Sequence, residues 1–265
     1  MTLRNSLLTM VFTLIAATAS AADRLTDKDV KDLISRIEQG RDRFDDALDD
    51  KLKNQIVRGP SGETDVKRFL NDFQESIDRV EERLKPEYAA SAEVGTLLRQ
   101  ASSIDRFFRN QQPGTKGESE WNRLATDFKT LAAAYSTEFP ITEGASVRRI
   151  GDKELEKNVD GLAKTAENTK KALDRELKKD PSMNAARQGV VADVDLLSKN
   201  AKTLKSRVKD GKPSSAEARS VLEQAAKLQD FVKTHQVPVS TTTWNGAAGQ
   251  LQSIASAYGA AWPKP

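Results

Sequence analysis

The chain has 265 residues, of which 31% are charged and none is cysteine. Without cysteine there is no disulfide framework, lipid attachment at a processed Cys, covalent haem, thiolate zinc or cysteine nucleophile. The 42 basic and 39 acidic residues nearly balance, unlike the one-sided basic excess of a nucleic-acid binder, so no nucleic acid is expected as partner.

At the start, Arg4 precedes an apolar run from Leu7 to Ala17, and Ala19, Ser20 and Ala21 follow. A short basic start, a short apolar middle and an A-x-A end predict a secretory signal peptide over 1–21. The run is shorter than the ~20 residues of a membrane crossing, and no second such run follows. The mature chain is therefore expected to be periplasmic or secreted in a bacterium and to have no transmembrane segment.

From Ala22 onward the pattern is helical throughout, with abundant charge and little β-branched alternation. Val30, Ile34, Ile37, Phe44 and Leu48 recur at steps of three and four, the spacing of one helix face. Thr26, followed by Asp27 and Asp29, suits the start of that helix, and a loop near Gly59 and Pro60 ends it. Val66, Phe69, Phe73, Ile77, Val80 and Leu84 mark a second helix that stops before Pro86. A third carries Val94, Leu97, Leu98, Ala101, Ile104 and Phe108, and a fourth begins near Ser119, a candidate N-cap. In the second half, Leu155, Val159, Leu162, Leu173 and Leu177 match Val30, Ile34, Ile37, Leu48 and Leu52 at an offset of 125. Asp180-Pro181 predicts a stop and restart. Val194, Leu197, Leu204 and Val208 form the next stripe, and Ser214 with Glu217 resembles a capping box. Val221, Leu222, Ala225, Leu228 and Phe231 follow, matching Leu97, Leu98, Ala101, Ile104 and Phe107 at an offset of 124.

Each half closes on a related segment: WNRLATDFKTLAAAYSTEFP from Trp121 to Pro140 and WNGAAGQLQSIASAYGAAWP from Trp244 to Pro263. Seven of the twenty positions are identical. The expectation is an all-α protein of two tandem duplicated antiparallel four-helix bundles, spanning residues 22–145 and 146–265. An end-to-end pair, with the last helix of the first bundle running nearly into the first of the second, is preferred over one eight-helix bundle. From Ala22 to Pro140 there are 24 acidic and 20 basic residues, net −4; from Ile141 to Pro265 there are 15 and 21, net +6. Halves of opposite sign attract over short range, within a Debye length of ~8–10 Å.

Two sets of residues are candidates for function. Trp121, Asn122 and Tyr135, with Trp244, Asn245 and Tyr258, would form an aromatic ligand platform at the end of each bundle, provided the indoles are exposed. Core packing is the preferred reading for the Trp and Tyr side chains, and local hydrogen bonding to the preceding loop for Asn122 and Asn245; the platform is the functional alternative. Lys202, Lys205, Lys209 and Lys212 form a basic stripe in the second bundle that suits an anionic surface, or else simply a solvated helix face. The sole histidine, His235, excludes a di-iron or bis-His site, and no G-x-S-x-G elbow or Gly-rich phosphate loop occurs. No cofactor and no metal are expected. The sequence thus points to a non-enzymatic binding or scaffolding module of the bacterial envelope, with a protein or envelope component as partner. Two alternatives stay open: a carrier of a small apolar or anionic ligand at the bundle junction or interior, and an enzyme of unknown class.

Overall fold

Thr26 opens helix α1 (Asp27–Ala47) with a reciprocal cap, in which its side chain accepts from the Asp29 amide while the Asp29 carboxylate accepts from the Thr26 amide. The computed structural model describes residues 24–262 other than 61, 112, 113, 115 and 236. The expected signal segment and Pro263 lie outside the described residues. Inward positions of α1 at helical spacing, Val30, Leu33, Ile34, Ile37 and Phe44, are all buried. A short helix α2 (Asp50–Lys53) follows, with Leu52 buried.

A β-hairpin comes next, a correction to the all-helical expectation. Strands β1 (Ile56–Gly59) and β2 (Gly62–Asp65) pair antiparallel, with Val57 opposite Thr64 and Gly59 opposite Gly62. The reason is local. Gly62 supplies the positive φ of the turn, +112°, and Arg58 and Glu63 pair across the strands. Val57 turns inward and is buried, while Ile56 is exposed. Gly59 is packed so closely on Phe69 that a β-carbon would stand 2.8 Å from the ring.

Helix α3 (Val66–Arg83) is capped by Asp65, whose side chain accepts from the Arg68 amide at 2.8 Å, and stops before Pro86. Helices α4 (Ser91–Gln111) and α5 (Glu118–Ala134) complete the first half. Ser119 is not the N-cap of α5; Gly117 takes that place, with φ +93°. A β-carbon there would lie 2.7 Å from Leu48 Cδ2, so Gly117→Ala meets both a left-handed backbone and a clash. A loss of about 1–3 kcal/mol in urea unfolding is expected, and an unchanged midpoint would contradict it. Helix α1 packs on α3 and α5, and α4 packs on the same two helices. One apolar cluster from Val30 to Ile141 fills the space between them.

Residues 135–151 are not helical, so no continuous helix joins the halves, contrary to the expected near-continuous passage. The segment is tied back onto α4 instead. The Ile141 amide donates to Ser102 Oγ at 2.9 Å, the Arg149 amide to Ser91 Oγ at 3.2 Å, and Phe139 and Ile141 join the first cluster.

The second half contains α6 (Asp152–Leu177), a 3₁₀ turn (Pro181–Met183), α7 (Asn184–Lys209), α8 (Ser215–His235), α9 (Pro238–Asn245) and α10 (Ala248–Ala257). Asp180 caps the 3₁₀ turn at Ser182, as its pairing with Pro181 predicts. Helix α6 packs on α7, α9 and α10, and α8 packs on α7, α9 and α10. A second cluster, from Ile150 to Ala255, lies among them. The two copies of the repeated segment differ here. The first begins within the single helix α5, whereas the second breaks after Asn245 and restarts as α10. Gly246, a poor helix former, replaces Arg123 at the break, and Gly249 replaces Thr126 in the first turn of α10. Ser214 places its hydroxyl 2.7 Å from that of Tyr258, and Glu217 pairs with Arg207 at 3.0 Å. Among the described residues no helix is long and apolar enough to cross a membrane.

Candidate functional site

The halves meet where α1 and α6 begin. Each first-turn amide row lacks intrahelical acceptors and carries partial positive charge, and the two ends supply each other's acceptor. The Asp27 amide donates to Asp152 Oδ2 at 2.8 Å, and the Asp152 amide donates to Asp27 Oδ2 at 3.0 Å. Two arginines close the exchange. Arg24 donates to Asp152 Oδ1 and to the Ile150 carbonyl; Arg149 donates to Asp27 Oδ1 and to the Leu25 carbonyl. Every partner has its counterpart 125 residues away, so the clasp has a local two-fold pattern. Both guanidiniums are largely withdrawn from water, with side-chain exposures of 9% for Arg24 and 3% for Arg149.

Beside the clasp lies a cleft of about 900 Å³, within the usual range for small-ligand sites. Its walls come from both halves at corresponding positions. Arg24 and Leu25 face it with Arg149 and Ile150 at an offset of 125, and Thr130, Ala133, Ala134 and Ser136 with Ser253, Ser256, Ala257 and Gly259 at an offset of 123. Small residues at the end of the repeated segment leave this space open. Helix α8 adds Arg219, Leu222 and Glu223, and the joining segment adds Arg148. Arg148 and Arg219 are exposed.

The predicted platform residues are dispersed. Trp121 is 1% exposed and Trp244 4%, so both indoles belong to the clusters and no exposed aromatic shelf forms. Asn122 and Asn245 are exposed. Tyr135 is buried and donates to the Ala89 carbonyl at 2.6 Å; burial pushes its hydroxyl well above the usual range. Of the six, Tyr258 alone lines the cleft. Burial raises its pKa too, opposed by the hydrogen bond shared with Ser214.

The lysine stripe is interleaved with acids of α6 and of the end of α7. Lys202 reaches Glu167 at 3.7 Å, Lys205 reaches Asp160 at 2.7 Å, and Lys212, beyond the turn at Gly211, reaches Asp210 at 3.1 Å. Lys209, the last residue of α7, is exposed. Hydrogen bonds from Lys164 and Lys205 hold the Asp160 carboxyl down to about 2 from an ordinary 3.8. A depressed folded-state value means that this pairing favours the fold above the ordinary carboxylate pKa and is lost as pH falls through the folded one. In a carbon-13 titration the Asp160 midpoint is expected near 2 and should move toward 3.8 in Lys205→Gln; a midpoint unmoved by that change would contradict the pairing.

Sequence reasoning missed the clasp and a buried carboxylate. Its signal was present, since RLTDKD at 24–29 and RIGDKE at 149–154 repeat at an offset of 125, but both lie just outside the apolar stripes. Asp105, on the inward face of α4 and 2% exposed, accepts from Trp121 Nε1 at 3.0 Å and from Arg109 Nε at 2.6 Å. The corresponding position in the second half is Gln229. His235 packs on Phe231 in a tilted arrangement with ring centroids 4.3 Å apart, and among the described residues no group of three or more His, Cys, Asp or Glu side chains stands ready to hold a metal ion.

The chain is thus an all-α protein with a cleft shared between its halves. Compared with protein-family models, with curated proteins and with solved structures, it gives no match.

Proposed function

We propose that this is an exported, non-enzymatic binding module in which two duplicated antiparallel four-helix bundles, residues 22–145 and 146–265, hold a small ligand at their junction. The duplication is supported by the constant offsets of 123 to 125 and by the matching cycles of packed helices, α1–α3–α4–α5 and α6–α7–α8 with α9 and α10. Export to the periplasm or beyond rests on the sequence of residues 1–21. The observation that carries the binding role is the cleft of about 900 Å³, walled by corresponding residues of both halves and pinned by the clasp.

A ligand that prefers the folded state raises its melting temperature by mass action. In a thermal-shift screen of small metabolites and amphiphiles, at least one class is expected to stabilise the native chain. The same class should fail to stabilise Ala133→Trp and Ser256→Trp, which fill the cleft from exposed positions on either wall. A stabilising ligand that acts equally on both filled variants would remove the cleft from this role. A partner-binding scaffold is the second reading. The alternation of lysines with Glu167, Asp160 and Asp210 does not favour the stripe as its interface.

A further inference from the structure

We infer that the junction ligand is an amphipathic anion: an acidic head group held by Arg148 and Arg219, with an apolar body lying over Leu222, Ala133, Ala134 and Ala257. This inference rests on the cleft reading above. Among the described residues four arginines line the cleft, but they are not equivalent. Arg24 and Arg149 are committed to Asp152 and Asp27 and to backbone carbonyls, so their charge is already balanced within the clasp. Arg148 and Arg219 stand outside it and are exposed. Among the described lining residues the one acid is Glu223, a single turn along α8 from Arg219. With the clasp neutral, two guanidiniums against one carboxylate leave a positive surplus, which suits a single anionic group better than a cation or a neutral polar molecule. Guanidinium matches carboxylate or phosphate through paired N–H donors.

The rest of the lining fixes the other end of the ligand. Leu25, Ile150 and Leu222 present apolar surface, and the alanines leave room above it. The hydroxyls of Thr130, Ser253 and Ser256 and the Gln252 amide tolerate polar atoms without adding charge. A sugar or a multiply charged polyanion would leave this apolar surface uncovered, while an alkyl or aryl acid covers it. The Ala-x-Ala-Tyr end of the repeated segment thereby takes a role: small side chains make the space and Tyr258 bounds it.

Three probes with one alkyl chain and different heads separate the terms: decanoate, decanol and decylammonium, each below its micellar concentration at low salt and neutral pH. Binding is followed on the full mature chain by calorimetry and by the backbone amide shifts of Ala133, Ser256 and Ala260. Decanoate is expected to shift these amides and to bind about tenfold more tightly than decylammonium, the scale of one charge-assisted hydrogen-bond set. In the double variant Arg148→Gln, Arg219→Gln that margin should vanish while decanol binding stays unchanged. Decylammonium or decanol binding as tightly as decanoate, or a margin that survives in the double variant, would overturn the anionic assignment and leave the cleft in place. If none of the three moves the cleft amides, the cleft reading itself falls. Both arginines are exposed and outside the clasp, so the double variant should fold; an unaltered amide spectrum away from the cleft checks this.

Discussion

Trp121→Ala should lower the unfolding free energy by about 4 kcal/mol, within the range of roughly 3–5 for deleting a large buried aromatic. The indole is 1% exposed and is packed against Phe44 and Phe128, with ring centroids 5.3 and 6.2 Å away. Its removal opens a cavity in the first apolar cluster and also takes one donor from Asp105, a carboxylate that is 2% exposed and would keep Arg109 as its partner. The unfolded chain solvates that carboxylate freely, so its lost donor adds to the cavity cost. Trp121→Phe separates the two effects, because it refills much of the volume while still orphaning one Asp105 oxygen; a loss of about 2 kcal/mol is expected for it. Chemical denaturation measures both, and a change below about 1 kcal/mol for Trp121→Ala would show that the indole is not in the core.

Arg149→Ala should cost about 3 kcal/mol, close to the figure for removing one partner of a buried ion pair. The guanidinium, with its side chain 3% exposed, holds Asp27 and the Leu25 carbonyl. Loss of the arginine leaves the Asp27 carboxylate facing the N-terminal end of α6 with the hydrogen bond that it accepts from the Asp152 amide. Arg149→Lys keeps the charge but not the two-pronged donor geometry and should recover less than half of the loss. Arg24→Ala, at the corresponding position, should behave alike. Full recovery by lysine would reduce the clasp to simple charge neutralisation.

The helices were legible in the sequence because their apolar residues recur every three or four positions over several turns. The stops at Pro86 and at Asp180-Pro181 were legible because proline removes an amide and fixes φ. The hairpin was not, since four-residue strands are too short for alternation to stand out and their pairing depends on Gly59, Gly62 and the placement of Val57. The break between α9 and α10 was masked by its resemblance to the unbroken α5. For the repeat, the core-packing reading describes the two indoles, which are buried, and the aromatic platform does not form. The repeat's small C-terminal residues shape the cleft. The lysine spacing was visible, but the acids of α6 that pair with it lie about 40 residues away in sequence and come close only through helix packing. The clasp required knowing that the first turns of α1 and α6 face each other, which no single helix pattern encodes. Asp105 continues the stripe of Leu98 and Ala101, a spacing that marks it as inward.

The cleft exists only if the halves hold one orientation through the exchange of Asp27 and Asp152. Because the chain has no native cysteine, spin labels can be placed at Glu75→Cys on α3 and Lys227→Cys on α8, both exposed positions. Pulsed electron resonance then reads the distance between the halves. A single narrow distance distribution is expected in the labelled native background, broadening when Arg24 and Arg149 are both changed to Ala. A broad distribution already present with the clasp intact would contradict a fixed junction, and with it the ligand cleft.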